Sequence, residues 1–197
     1  MSTLTYQIEF YSFWHASSGL AGSTYADLLV NKTREGLPYI PGRTLKGLLR
    51  EAAESIHAVQ PDMISEGFIL HVFGQKPTQN DEEHENQTLE AQAFFTNANL
   101  TQQLSEAIVK NSDQSYLFEV LASTSIDGQK GIAKNGTLRQ LEVTVPLTLF
   151  AAIEQFPDEP GYRDMMEHCM KWVKRMGLNR TRGLGRCQFS LLTPSRA

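Results

Sequence analysis

Residues 36–50 read Gly-Leu-Pro-Tyr-Ile-Pro-Gly-Arg-Thr-Leu-Lys-Gly-Leu-Leu-Arg, and they constrain the fold more than any other stretch of the chain. Pro38 and Pro41 fix φ and withdraw two backbone donors, which excludes a helix interior or a central strand. Leu45, Leu48, Leu49, Ala52, Ala53 and Ile56 then follow the spacing of an amphipathic helix, so a rigid turn delivers the chain into a helix over 44–59. Thr44 is the expected N-cap. Arg43, Lys46 and Arg50 fall on or beside the other faces, and a helix N-terminus flanked by cations suits phosphate.

Periodicity organises the rest. Leu4, Tyr6, Ile8, Phe10, Ser12 and Trp14 alternate with other residues, as in a strand with one buried face. Residues 15–26 are small and read as a loop, and 30–40 as irregular or a short hairpin. Residues 60–90, with Pro61, Pro77 and a polar run over 79–87, read as a surface loop. Strands are expected over 91–98 and 116–124, with a short helix over 100–110. Residues 125–137, rich in Gly and Lys, are expected to project. A strand follows over 138–154, where Pro146 marks an edge or a bulge. Tyr162, Met165, Met166, Cys169, Val173 and Met176 make the apolar stripe of a helix over 161–176, with Gly177 at C′. A last strand covers 185–192. The order β-α-β-β-α-β with extra hairpins is that of an α+β, ferredoxin-like or RRM-type sheet.

The chain has 197 residues, which suits one domain with a real core and no tandem repeat. No apolar run approaches a membrane span, and the first residues carry no basic or apolar signal, so a cytoplasmic location is expected. Cys169 and Cys187 are too few for a disulfide scaffold or a zinc site. Net charge is -4, which argues against a free-standing nucleic-acid binder. Its distribution argues otherwise. Asp81, Glu82, Glu83, Glu85 and Glu90 concentrate acid in the middle, whereas 168–197 has no Asp or Glu but holds Lys171, Lys174, Arg175, Arg180, Arg182, Arg186 and Arg196. An acidic chain can still present one basic face. Within that stretch Arg180-Thr181-Arg182-Gly183-Leu184-Gly185-Arg186 is a basic glycine loop, whose backbone can approach phosphate and whose N–H groups can form an anion nest. Taken alone it also fits a simple helix-to-strand turn.

Ile40-Pro41-Gly42-x-Thr44-Leu45-Lys46-Gly47-x-x-Arg50 resembles the signature of the RAMP superfamily of CRISPR-associated proteins, in particular its Cas7-like backbone subunits of the Csm3 and Cmr4 groups. Further features stand in the family's order. They are Trp14-His15 with the small-residue loop to Gly22, Asp27-Leu28-Leu29-Val30, and His71-Val72-Phe73-Gly74. Ser125-Ile126-Asp127-Gly128 with Gly131-Ile132-Ala133-Lys134, Thr137 and Glu142 follows, and the basic glycine loop closes the series.

The resemblance implies the ferredoxin-like fold, a single domain over 1–197 with a polar insertion around 75–90, and a thumb-like loop around 123–140. It implies a type III CRISPR effector subunit lined up along a crRNA. Its partners would be crRNA, target RNA, copies of itself or other Cas7-like subunits, and Cas10-, Cas5- and Cas11-like subunits. Asp27 is the implied catalytic residue for metal-dependent cleavage of target RNA, with Mg²⁺ as the divalent cation it would hold. Such an ion needs only one or two carboxylates. His15, Ser18, Arg43, Lys46, Arg50, Lys130, Lys134, Arg180, Arg182, Gly183, Gly185 and Arg186 are the implied RNA contacts, and Ile126 and Ile132 the thumb's apolar wedge. The Pro often found two residues after that Asp is lacking here. Three rival readings stand beside this one. They are a non-catalytic scaffold of the same architecture, a Cas6-like crRNA-processing ribonuclease with His15 as a metal-free general base, and an α+β interaction domain without RNA.

Overall fold

The computed structural model describes residues 1–21, 26–75, 90–126, 128, 132 and 136–192. Lys130, Lys134 and most of the acidic run fall outside these residues.

The alternating N-terminal segment forms β1 (Ser2–Phe10), with Leu4, Tyr6, Ile8 and Phe10 on its buried face. Two further strands follow, β2 (Ser17–Ala21) and β3 (Leu28–Val30). Two helices come next, α1 (Gly42–Val59) and α2 (Glu66–Phe73), and then the two-residue β4 (Phe94–Phe95). The chain continues through α3 (Gln102–Asn111), β5 (Phe118–Ser123), β6 (Arg139–Thr144), β7 (Thr148–Phe156), α4 (Tyr162–Trp172) and β8 (Cys187–Leu191).

One sheet has the order β4-β7-β1-β8 and is antiparallel throughout. With α1 after β1 and α4 after β7, this is the ferredoxin-like βαββαβ arrangement expected from the sequence. α1 and α4 pack against each other and against this sheet. Leu45, Leu49, Ala53 and Met166 meet Tyr6, Ile8, Leu149 and Ile153 in one continuous core. Each fully buried side chain of this kind contributes about 1.5–3 kcal/mol relative to exposure. The second sheet, β2-β3-β6-β5, is built from the insertions before α1 and before β7. β5 and β6 pair antiparallel, and most of the stretch between them that was expected to project lies outside the described residues.

Several expectations are corrected. α1 begins at Gly42 with Pro41 as its N-cap, and Thr44 lies inside the first turn without a capping role. Gly42 is required there because a Cβ would run into the Phe95 carbonyl oxygen. α2 lies within the segment read as loop. Ser65 caps it by accepting the Phe68 N–H (3.2 Å), and Phe68, Ile69, Val72 and Phe73 are buried. The strand expected over 138–154 is two strands, β6 and β7, parted around Pro146. The small-residue segment read as loop contains β2, paired with β3. Of the strand expected over 91–98 only Phe94–Phe95 is regular. α4 ends at Trp172, so Gly177 is not its C′ residue. Its φ of 87° instead turns the chain where a Cβ would strike the His15 carbonyl oxygen.

Candidate nucleic-acid interface

The basic glycine loop is a left-handed construction. Gly177, Asn179, Gly183 and Gly185 all have positive φ (87°, 56°, 88° and 69°), and a 3-10 turn spans Arg180–Arg182. A Cβ on Gly185 would run into the Met176 carbonyl oxygen. The loop is stapled to the end of β1 and the residues that follow it. Gly185 N–H donates to Phe13 O (2.7 Å), Leu178 N–H to His15 O (3.0 Å), and Arg186 N–H to Ser12 Oγ (3.0 Å). Arg182 N–H donates to Asn179 O (2.8 Å). These amides therefore serve the loop's own fold rather than an open anion nest. What faces solvent is the side chains of Arg180, Arg182 and Arg186.

At the start of α1 the Gly42 N–H donates to Asn97 Oδ1 (2.9 Å), so the 95–97 segment covers part of the helix terminus. Arg43 is exposed and Lys46 half-buried. Burial, and then the Arg50 charge, hold the Lys46 ammonium below its ordinary pKa. Arg50 is not a free cation, because its Nε pairs with Glu54 Oε1 at 2.8 Å.

Asp27 is exposed just before β3, in the second sheet, whereas the basic loop leads into β8 of the first. Its Oδ2 accepts the Gln140 N–H (2.7 Å) and its own N–H donates to Gln140 O (2.9 Å). Gln140 is the second residue of β6, so these bonds hold the carboxylate beside the root of the β5–β6 hairpin. Thr124 and Thr137 are hydrogen-bonded across that root (3.0 Å), and Ile126, Ile132 and Leu138 are 67%, 60% and 63% exposed. Ser18 is half-buried, its Oγ bonded to Leu29 O on the neighbouring strand (3.0 Å).

His15 is the main correction among the site residues. It was expected to meet RNA, but its side chain is fully buried. Its ring Nδ1 lies 2.7 Å from Glu142 O, which makes Nδ1 the donor, and Nε2 has no partner. Burial lowers its pKa, opposed by the Glu142 carbonyl and charge, so the neutral ring is favoured. It links the basic loop, through its own carbonyl, to the sheet carrying Asp27, through Glu142. In this conformation neither ring nitrogen is open to solvent.

The sequence reading assigned no role to a second feature of this junction. Glu142 is 1% exposed, yet it meets Lys32 Nζ through Oε1 (2.7 Å) and the Val30 N–H through Oε2 (3.1 Å). Lys32 Nζ also sits 4.0 Å above the Phe118 ring. A buried carboxylate persists only with such partners. The pair spans a sequence separation of 110 residues, so Glu142, set between Leu141 and Val143 in β6, carries no local sign of its partner.

No group of three or more His, Cys, Asp or Glu side chains suited to a metal occurs among the described residues. Asp27 alone fits a largely hydrated Mg²⁺ and does not fit a tight protein cage. Cys169 and Cys187 are buried and free, and burial pushes both thiols up to about 12. No described helix is long and apolar enough to cross a membrane.

The comparisons agree with this architecture. The family model described as "RAMPs: RAMP superfamily" matches residues 7–188, and the chain belongs to that superfamily. A chain of the "Cryo-EM structure of the Type III-B Cmr-beta bound to cognate target RNA" is 12% identical and superposes with a TM-score of 0.69. That match covers 97% of each chain. A chain of the "Type III-B Cmr-beta Cryo-EM structure of the Apo state" is 14% identical with a TM-score of 0.65, covering 98% of each. At these identities the likeness is one of fold. No curated protein matches the sequence.

Proposed function

We propose that the chain is a Cas7-like backbone subunit of a type III CRISPR ribonucleoprotein, binding crRNA and cutting the target RNA paired to it. The observation that carries this reading is the superfamily match over 7–188, on a fold shared end to end with a subunit of an assembly bound to target RNA. The exposed cations of the glycine loop and Arg43 would hold guide phosphates, Arg by paired donors and Lys as a point charge. Copies of the chain or related subunits, with Cas10-, Cas5- and Cas11-like proteins, would complete the particle.

Asp27 is the residue proposed for cleavage. Held by the Gln140 amide at the hairpin root, its carboxylate would orient the ribose so that the 2′-oxygen attacks the adjacent phosphorus in line. The 2′-O–P bond forms as the P–O5′ bond breaks, the 2′-hydroxyl proton passing to solvent and the departing 5′-oxygen taking one up from it, which leaves a 2′,3′-cyclic phosphate and a 5′-hydroxyl. A bound Mg²⁺ would supply charge stabilisation at the phosphate oxygens.

One observation favours a purely structural role. The same Asp27–Gln140 bond is what a carboxylate needs to tie β3 to β6, so Asp27 also suits a scaffold. Assembly on a labelled guide RNA, in wild type and in an Arg180→Glu/Arg186→Glu variant, tests the shared part of both readings. Tight, salt-sensitive binding that the variant loses is expected. Equal binding by the variant would exclude this loop as guide-binding surface.

A further inference from the structure

The chain leaving α4 folds back on β8. Cys187 N–H donates to Lys174 O (3.0 Å), and Arg175 pairs with Arg186 in an isolated antiparallel bridge. Lys174 and Arg175 thereby form a ridge between two depressions. On one side a groove of about 680 Å³ runs along β8, with Tyr11, Arg186 and Gln188 in its wall. On the other a cleft of about 160 Å³ lies between Trp172, Arg180 and Leu48 of α1. Trp172 is 55% exposed, whereas the chain's other tryptophan, Trp14, is 1% exposed. The Arg186 guanidinium lies 5.9 Å from the Tyr11 ring. Among the described residues Lys174, Arg175, Arg180 and Arg186 have no carboxylate partner, while neighbouring Lys171 is held by Glu167 at 2.7 Å.

We propose that this ridge is a track for single-stranded RNA, with a base stacked on Trp172 and the sugar–phosphate chain lying across Lys174 and Arg175. The inference rests on the RNA-binding reading above for its ligand; Trp172, Lys174 and Arg175 lie outside the motifs that suggested that reading, while Arg180 and Arg186 belong to the glycine loop. An unneutralised cation row answers any polyanion. The exposed indole beside guanidinium groups is what favours RNA, because every base offers a π-face to stack whereas Asp and Glu side chains offer none.

Trp172 is its own reporter, since Trp14 is sealed in the core. Addition of a mixed-sequence single-stranded RNA to the full chain at low salt should quench indole emission. The quench should disappear in Trp172→Phe, which keeps a stacking ring and should bind nearly as wild type does. Trp172→Ala and Lys174→Glu/Arg175→Glu should each weaken binding about tenfold by fluorescence anisotropy. Thermal melting checks that these surface variants remain folded. RNA binding without quench, at wild-type affinity in the variants, overturns the track and leaves the proposed function standing. No RNA binding by any form overturns both. Quenching by poly-glutamate as strong as by RNA overturns the RNA assignment in favour of an acidic protein ligand.

Discussion

At the scale of single residues, the Lys32–Glu142 pair and His15 form one joint between the two halves of the site. Removing one partner of a buried pair leaves an uncompensated charge, which typically costs 3–5 kcal/mol. Lys32 is 34% exposed, so water relieves part of this, and Lys32→Met should lower stability by about 2–3 kcal/mol in urea unfolding. His15 gives a pH signature. Its folded pKa is lowered by burial, so the unfolded chain takes up the proton first as pH falls below the ordinary value near 6.5. The neutral ring's contribution is complete above that value and is lost on acidification. His15→Asn keeps a donor for Glu142 O, so its melting temperature should fall less than the wild type's between about pH 7 and 5. An identical fall in both would assign the acid sensitivity elsewhere. Little of this joint was legible in the sequence. Period two put Trp14 in the core, but nothing local shows that His15 turns inward, because its partner is a carbonyl 127 residues away.

Elements were more legible than the contacts between them. The alternation of β1 and the 3.6-residue stripes of α1 and α4 report one buried face each; most of those residues are buried, although Leu48 and Met165 are only partly so and Val173 and Met176 lie beyond the end of α4. α2 was missed because Pro61 and Pro77 frame it and the polar run beyond it dominates the composition. Its signals were present as Ser65 before an apolar pair repeated four residues on, Phe68-Ile69 and Val72-Phe73. Ser65→Ala should cost about 1 kcal/mol through loss of the cap, read as a lower denaturant midpoint at unchanged slope. β2 was hidden because small residues carry no strand propensity, and its pairing with β3 is tertiary. Boundaries moved where backbone geometry decided them. Pro41, with its fixed φ, caps α1, and left-handed Gly177 serves the close approach to His15 rather than the end of α4.

At the scale of the whole molecule, the chain is acidic overall with a basic carboxyl-terminal face, so its affinity for RNA should depend steeply on salt. The slope of log affinity against log salt counts the phosphates engaged, and Arg180→Gln should reduce it by about one unit if that guanidinium contacts a phosphate. The ferredoxin-like core was legible because its strands and two helices follow in order and β1, α1, β7 and α4 carry clear periodicity, the two-residue β4 being the exception. The second sheet was not, since β2, β3, β5 and β6 come from two insertions that meet only in three dimensions. That meeting places Asp27 beside the hairpin root, which is the central claim for function. Its most direct test is cleavage of labelled target RNA by the reconstituted guide complex, comparing wild type with Asp27→Ala in Mg²⁺ and in EDTA. The account predicts regularly spaced cuts that require the metal and vanish in the variant while target binding persists. Unchanged cuts in Asp27→Ala would contradict it and leave this chain as a scaffold.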